Sequence, residues 1–121
     1  MEQDQGEAAL MTDVGYLRAL VEHTVPLAAV PDGATAQRIR TAAGISRQLA
    51  GCVLGVGANT ILRFEANYVT HSRRLENSER YRALLAALFR HVAGTDPTTA
   101  DEIRRQWKPI DESTRNDKDA A

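Results

Sequence analysis

Apolar residues recur at helical spacing along most of this chain and nowhere alternate with polar ones for more than a few positions. That pattern predicts an all-α protein. Val14, Leu17, Leu20, Val21 and Val25 form a first stripe, with Arg18 and Glu22 on the other face and Thr12 as the expected N-cap. Pro26 and then Val30-Pro31-Asp32-Gly33 end that helix and turn the chain. A second helix is expected over 34–43, with Ala36, Ile39 and Ala43 inward and Gly44 as its stop. Ser46 caps a short third helix ending near Gly55, and a fourth begins near Gly57 with Ile61 and Phe64 on one side. Residues 67–77 read as a long loop. The strongest helix spans 78–93, where Tyr81, Leu84, Leu85, Leu88, Phe89 and Val92 make a broad apolar stripe and Gly94 is the expected stop. Thr95-Asp96-Pro97 breaks the pattern, a last amphipathic turn or two runs to Trp107, and the charged stretch from Pro109 is expected to be disordered. The pattern predicts a small helical bundle of about five to six helices.

Composition narrows the setting. With 121 residues, 43% of them hydrophobic, the chain suffices for one compact domain. Aromatics are only 5%, so Leu, Val, Ile and Ala must build the core. Cys52 is the single cysteine, which excludes an internal disulfide and favours a reducing compartment. The acidic start is unlike a secretion or transit signal, and no apolar run approaches the roughly 18 residues of a membrane span. A cytoplasmic location without membrane contact is therefore expected.

The net charge of −1 conceals a sorted distribution. Arg18 faces six acids between Met1 and Ala34, while nine arginines face three glutamates between Thr35 and His91. A cationic middle between acidic ends suits a polyanion-binding module, although solvated helix faces produce the same count.

The twenty residues from Arg47 to Ala66 carry the most information. A helix-turn-helix needs small side chains where its helices cross, and Ala50-Gly51 stands there. Its turn needs a residue that tolerates positive φ, which Gly55 provides. Apolar residues must lock the second helix onto the first, and Leu54, Val56, Ile61 and Phe64 have that spacing. The start of the second helix must be small and polar to approach base edges, as Gly57, Ala58, Asn59 and Thr60 are.

The stretch 44–66, with Gly44-Ile45-Ser46, Leu54-Gly55-Val56 and Thr60-Ile61-Leu62-Arg63-Phe64-Glu65, resembles the helix-turn-helix of the lambda-repressor-like (Xre/Cro-like) DNA-binding family. Gln37-Arg38-Ile39-Arg40 resembles that family's first helix, and Arg73-Arg74 with Glu79-Arg80-Tyr81-Arg82-Ala83-Leu84-Leu85 resembles the basic loop and closing helix of its actinobacterial members. The family usually has Ala where Gly51 stands and Leu where Ala50 stands, and Gly57 replaces its usual Ser or Thr cap. The resemblance covers about Thr35 to Val92 and implies a helix-turn-helix DNA-binding domain over 34–94. The residue pattern outside it gives a flexible acidic N-terminus (1–11), an extra N-terminal helix and turn (12–33), and a short C-terminal helix with a disordered tail (95–121).

By the same resemblance, base-reading positions fall on Gly57, Ala58, Asn59 and Arg63. Asn59 suits adenine, Arg63 guanine, and Ala58 a thymine methyl. Arg47, Gln48, Thr60, Arg73 and Arg74 are the expected phosphate contacts, while solvation alone accounts equally well for the last two. The expected function is a sequence-specific regulator of transcription, a repressor of bacterial or phage type, binding double-stranded DNA as a homodimer. The alternative is a protein-interaction module on the same scaffold, such as an antitoxin or anti-repressor. It would engage its partner through the N-terminal helix or the segment near Trp107. His23, His71 and His91 lack metal-ligand spacing, Cys52 is expected to pack as a small apolar residue, and Glu65 to close its helix. With no phosphate loop and no nucleophile beside a base, neither enzymatic activity nor a cofactor or metal is expected.

Overall fold

The computed structural model describes residues 11–66 and 78–108. It is all-helical among these residues, with α1 over Val14–His23, α2 over Gly33–Ala42, α3 over Arg47–Leu54, α4 over Ala58–Glu65, α5 over Glu79–Thr95 and α6 over Pro97–Gln106. The loop expected over 67–77 and the tail from Pro109 lie outside the described residues.

Local chemistry sets most helix starts. Asp32, Ser46, Ser78 and Asp96 each accept the backbone N–H of the residue three positions on, capping α2, α3, α5 and α6. The first helix is capped by Asp13, not Thr12: its carboxylate accepts the Tyr16 N–H at 3.0 Å and adds a negative charge at the positive end of the helix. Val25 falls beyond the end of α1 and is 56% exposed, so the apolar stripe stops short of it.

The end of α5 also departs from expectation. The helix runs through Gly94 to Thr95. A helical glycine costs only about 1 kcal/mol relative to alanine, and the preceding turn is anchored by fully buried Val92. The break falls at Asp96-Pro97, where Asp96 ends α5 and caps α6, and Pro97 stands in the first turn of α6, where its missing N–H has no partner to lose. The last helix has ten residues, longer than expected, and buries Ala100 and Ile103 completely.

One apolar cluster joins everything from Met11 to Ile103, so α1 and α6 share a core with the helices between them. The central element is α5, whose Leu84, Leu85, Leu88, Phe89 and Val92 are essentially inaccessible. It packs on α1, α2 and α6, while α1 also rests on α3 and α2 on α4. Polar ties fix the periphery. Arg38 pairs with Glu102 across α2 and α6, and the Arg104 guanidinium lies 5.1 Å from the Phe89 ring centre. Arg82 and Leu27 exchange hydrogen bonds that pin the α1–α2 connection to α5.

The junction of α3 and α4 depends on two glycines. Gly55 ends α3 at φ 75°, a left-handed conformation that glycine adopts without strain. The N–H groups of Gly55 and Val56 both bond to the Gly51 carbonyl and fold the chain back. Gly51 is needed for space: a Cβ there would lie 2.5 Å from the Val56 carbonyl oxygen. Gly51→Ala should therefore destabilise the fold by about 1–3 kcal/mol in denaturant titrations, despite alanine's better helix propensity. Gly94→Ala, where a Cβ meets nothing within 4 Å, should instead stabilise by about 0.5–1 kcal/mol. A stabilised Gly51→Ala would contradict the close approach.

Candidate nucleic-acid interface

The eight residues of α4 divide sharply by face. Ile61, Phe64 and Glu65 point inward and are buried, whereas Ala58, Asn59, Leu62 and Arg63 are exposed. Phe64 meets the Tyr81 ring edge-on at 5.3 Å between centres, clamping α4 to α5.

The inward face ends in an ionic cluster. Both Glu65 oxygens accept from Arg40, Oε2 from Nε at 2.6 Å and Oε1 from Nη2 at 3.0 Å. The Arg47 Nε also donates to Oε1 at 3.0 Å, and Arg40 Nη1 reaches the Ile45 carbonyl at 2.8 Å. One carboxylate thus joins the end of α2, the start of α3 and the end of α4. The pairing resolves two local conflicts: a glutamate at a helix C-terminus and an arginine at a helix N-terminus both oppose the helix dipole. Gly33 completes the arrangement, because a Cβ there would lie 2.4 Å from the Phe64 carbonyl oxygen. Burial, and then the Glu65 charge, raise the Tyr81 hydroxyl pKa above tyrosine's ordinary range, with Arg40 opposing. That hydroxyl stays neutral in the folded protein at physiological pH.

Outward, Gly57, Ala58, Asn59 and Arg63 form one exposed surface. Gly57 begins α4 without a side-chain cap, and the half-buried Thr60 donates its N–H to the Gly57 carbonyl at 3.1 Å. Arg63 has no ion pair among the described residues. Gln48 is exposed in the first turn of α3, while Arg47 is only part-exposed and holds Glu65. Arg73 and Arg74 lie outside the described residues. The N-terminal helix leaves this surface open: α1 lies on α3 and α5, with Arg18 donating to the Cys52 carbonyl at 2.8 Å.

Three findings go beyond the sequence reading. Leu62, 41% exposed, stands among the outward residues of α4, and its position three residues after Asn59 is the signal for it. Cys52 is exposed and not packed, because Ala50, Gly51 and Val53 occupy the inward face of α3. The charge sorted along the sequence is partly neutralised in space: Arg38, Arg40 and Arg47 are ion-paired, and Arg80 and Arg82 donate to the Val53 and Leu27 carbonyls. Among the described residues no His, Cys, Asp and Glu cluster suits a metal ion, and no helix is long and apolar enough to cross a membrane.

Comparison with known proteins adds no relative: no family model, no curated protein and no solved structure matches the chain.

Replacing Glu65 by Gln keeps its shape and removes the charge that serves two arginines. With the buried Arg40 left unpaired, the loss should be about 3–5 kcal/mol in equilibrium unfolding. A loss below about 1 kcal/mol would place the ion cluster among ordinary surface pairs.

Proposed function

We propose that this chain is a sequence-specific double-stranded DNA-binding regulator of transcription, built on a helix-turn-helix in which α4 enters the major groove. The observation that carries the reading is the face of α4 formed by Gly57, Ala58, Asn59 and Arg63. It is small and polar at its start, exposed throughout, uncovered by α1, and held in place from behind by Glu65.

The mechanism follows from groove chemistry. Small residues at the start of α4 let the helix backbone approach the base pairs. Asn59 has the paired donor and acceptor that match adenine N7 and N6, and Arg63 one turn later has the fork that matches guanine. Thr60, Gln48, the exposed part of Arg47, and Arg73 and Arg74 would contact phosphates and set the register. A single such face offers few base contacts, so two copies on paired half-sites are proposed. Occupancy of the site by this homodimer would then block polymerase, the action of a repressor.

A second reading treats the fold as a protein-interaction module of the antitoxin or anti-repressor kind. It draws support from the internal pairing of much of the cationic middle and from exposed Leu62 and Val25.

Binding measured on a selected duplex and on random duplex at one fixed salt concentration separates the two. Asn59→Ala or Arg63→Ala should cost about 1–3 kcal/mol on the selected site and much less on random DNA. Equal losses on both would reduce these residues to phosphate contacts. Unchanged binding in folded variants would favour the interaction module.

A further inference from the structure

The outward face of α4 has a feature that polar base reading does not explain. Leu62 and Val25 are the two large hydrophobic side chains left exposed among the described residues, and Leu62 stands on this face. At about 100° per residue, Leu62 projects between Ala58 and Asn59 around the helix axis, one turn further on. Arg63 lies on the other side of Asn59 in the same projection. Any surface that receives the whole face from Ala58 through Asn59 to Arg63 must therefore also receive Leu62.

The edges of base pairs in the major groove carry hydrogen-bond donors and acceptors and a single kind of apolar group, the C5-methyl of thymine. Set against any other edge, the Leu62 side chain would remove water from a donor or acceptor and give nothing in return. Set against a methyl group, the same side chain loses only its own hydration. We infer that Leu62 is a specificity-determining residue, which selects a thymine methyl next to the adenine read by Asn59. The preferred half-site then contains an A·T-rich step beside the guanine read by Arg63. This inference rests on the proposed function and deepens it, by adding a contact to apolar substituents at the same site.

The test exploits a one-methyl change that leaves base pairing intact. Each thymine of a selected duplex is replaced in turn by deoxyuridine, and binding is measured for the wild-type chain and for Leu62→Ala. Because Leu62 is exposed and outside the core, the variant should keep the wild-type thermal unfolding profile. The wild type should lose about fourfold in affinity at one thymine position, the worth of one buried methyl group. Leu62→Ala should bind the thymine duplex more weakly and show no difference between thymine and uracil at that position. Restoring a methyl as 5-methyldeoxyuridine is thymidine itself, so the pairing of each duplex with its parent is the internal control. Discrimination that survives intact in Leu62→Ala, or a wild type indifferent to every substitution, would overturn the inference while leaving DNA binding in place. Absence of binding by the wild type to any duplex would overturn the proposed function and this inference with it. A Leu62→Ala variant that changes only self-association would assign Leu62 to a protein interface and overturn the inference too.

Discussion

The Glu65 carboxylate is the constraint on which the arrangement of α2, α3 and α4 depends. It is the one buried anion among the described residues at this junction, and it satisfies two guanidinium groups at once. Burying a carboxylate is costly unless its charge and its lone pairs are matched, and Arg40 matches them in a two-point pairing while Arg47 adds a third bond. The geometry this imposes is narrow. The two-point pairing fixes the orientation of the end of α4 against α2, and the Arg47 contact fixes the start of α3 against both. Gly33 and Gly51 then admit the backbones at separations that a Cβ would prevent.

This bracing explains how an eight-residue helix can hold a fixed place in the fold. Isolated helices of that length are marginal in water. Here α4 is held at its first turn by the Gly51 junction, in its middle by Ile61, and at its end by Phe64 on Tyr81 and by Glu65. All the holding is done on one side. The opposite side is left with small residues, Asn59, Leu62 and Arg63, none of which is needed for packing. Stability is thus assigned to one face of this short helix, and residues on the outward face can change without loss of the fold.

The sequence made much of this legible because its strongest signals are local. Ser46, Gly55 and Gly57 marked the ends of α3 and α4, and the spacing of Ile61 and Phe64 marked the buried side. The helix crossing at Ala50-Gly51 could be read from side-chain size alone. Signals that depend on distant partners were less visible. Gly33 reads as a turn residue in sequence, although its role is to clear the Phe64 and Glu65 carbonyls at the far end of α4. Arg40 and Arg47 add to the cationic count in sequence yet share one buried carboxylate in the fold, because charge totals along a sequence do not record pairing in space. Gly94 reads as a stop in sequence because propensity is a local quantity, whereas the buried turn before it and the Asp96-Pro97 pair set the end of α5.

In the proposed function the outward face of α4 is the surface that meets duplex DNA. Backbone amide chemical shifts recorded during titration with a selected duplex test it most directly. The largest changes should fall on Gly57 to Arg63 and the first turn of α3, with the α1–α5 face and α6 nearly unmoved. Changes concentrated on α1 and α5, or no change at saturating duplex, would contradict it.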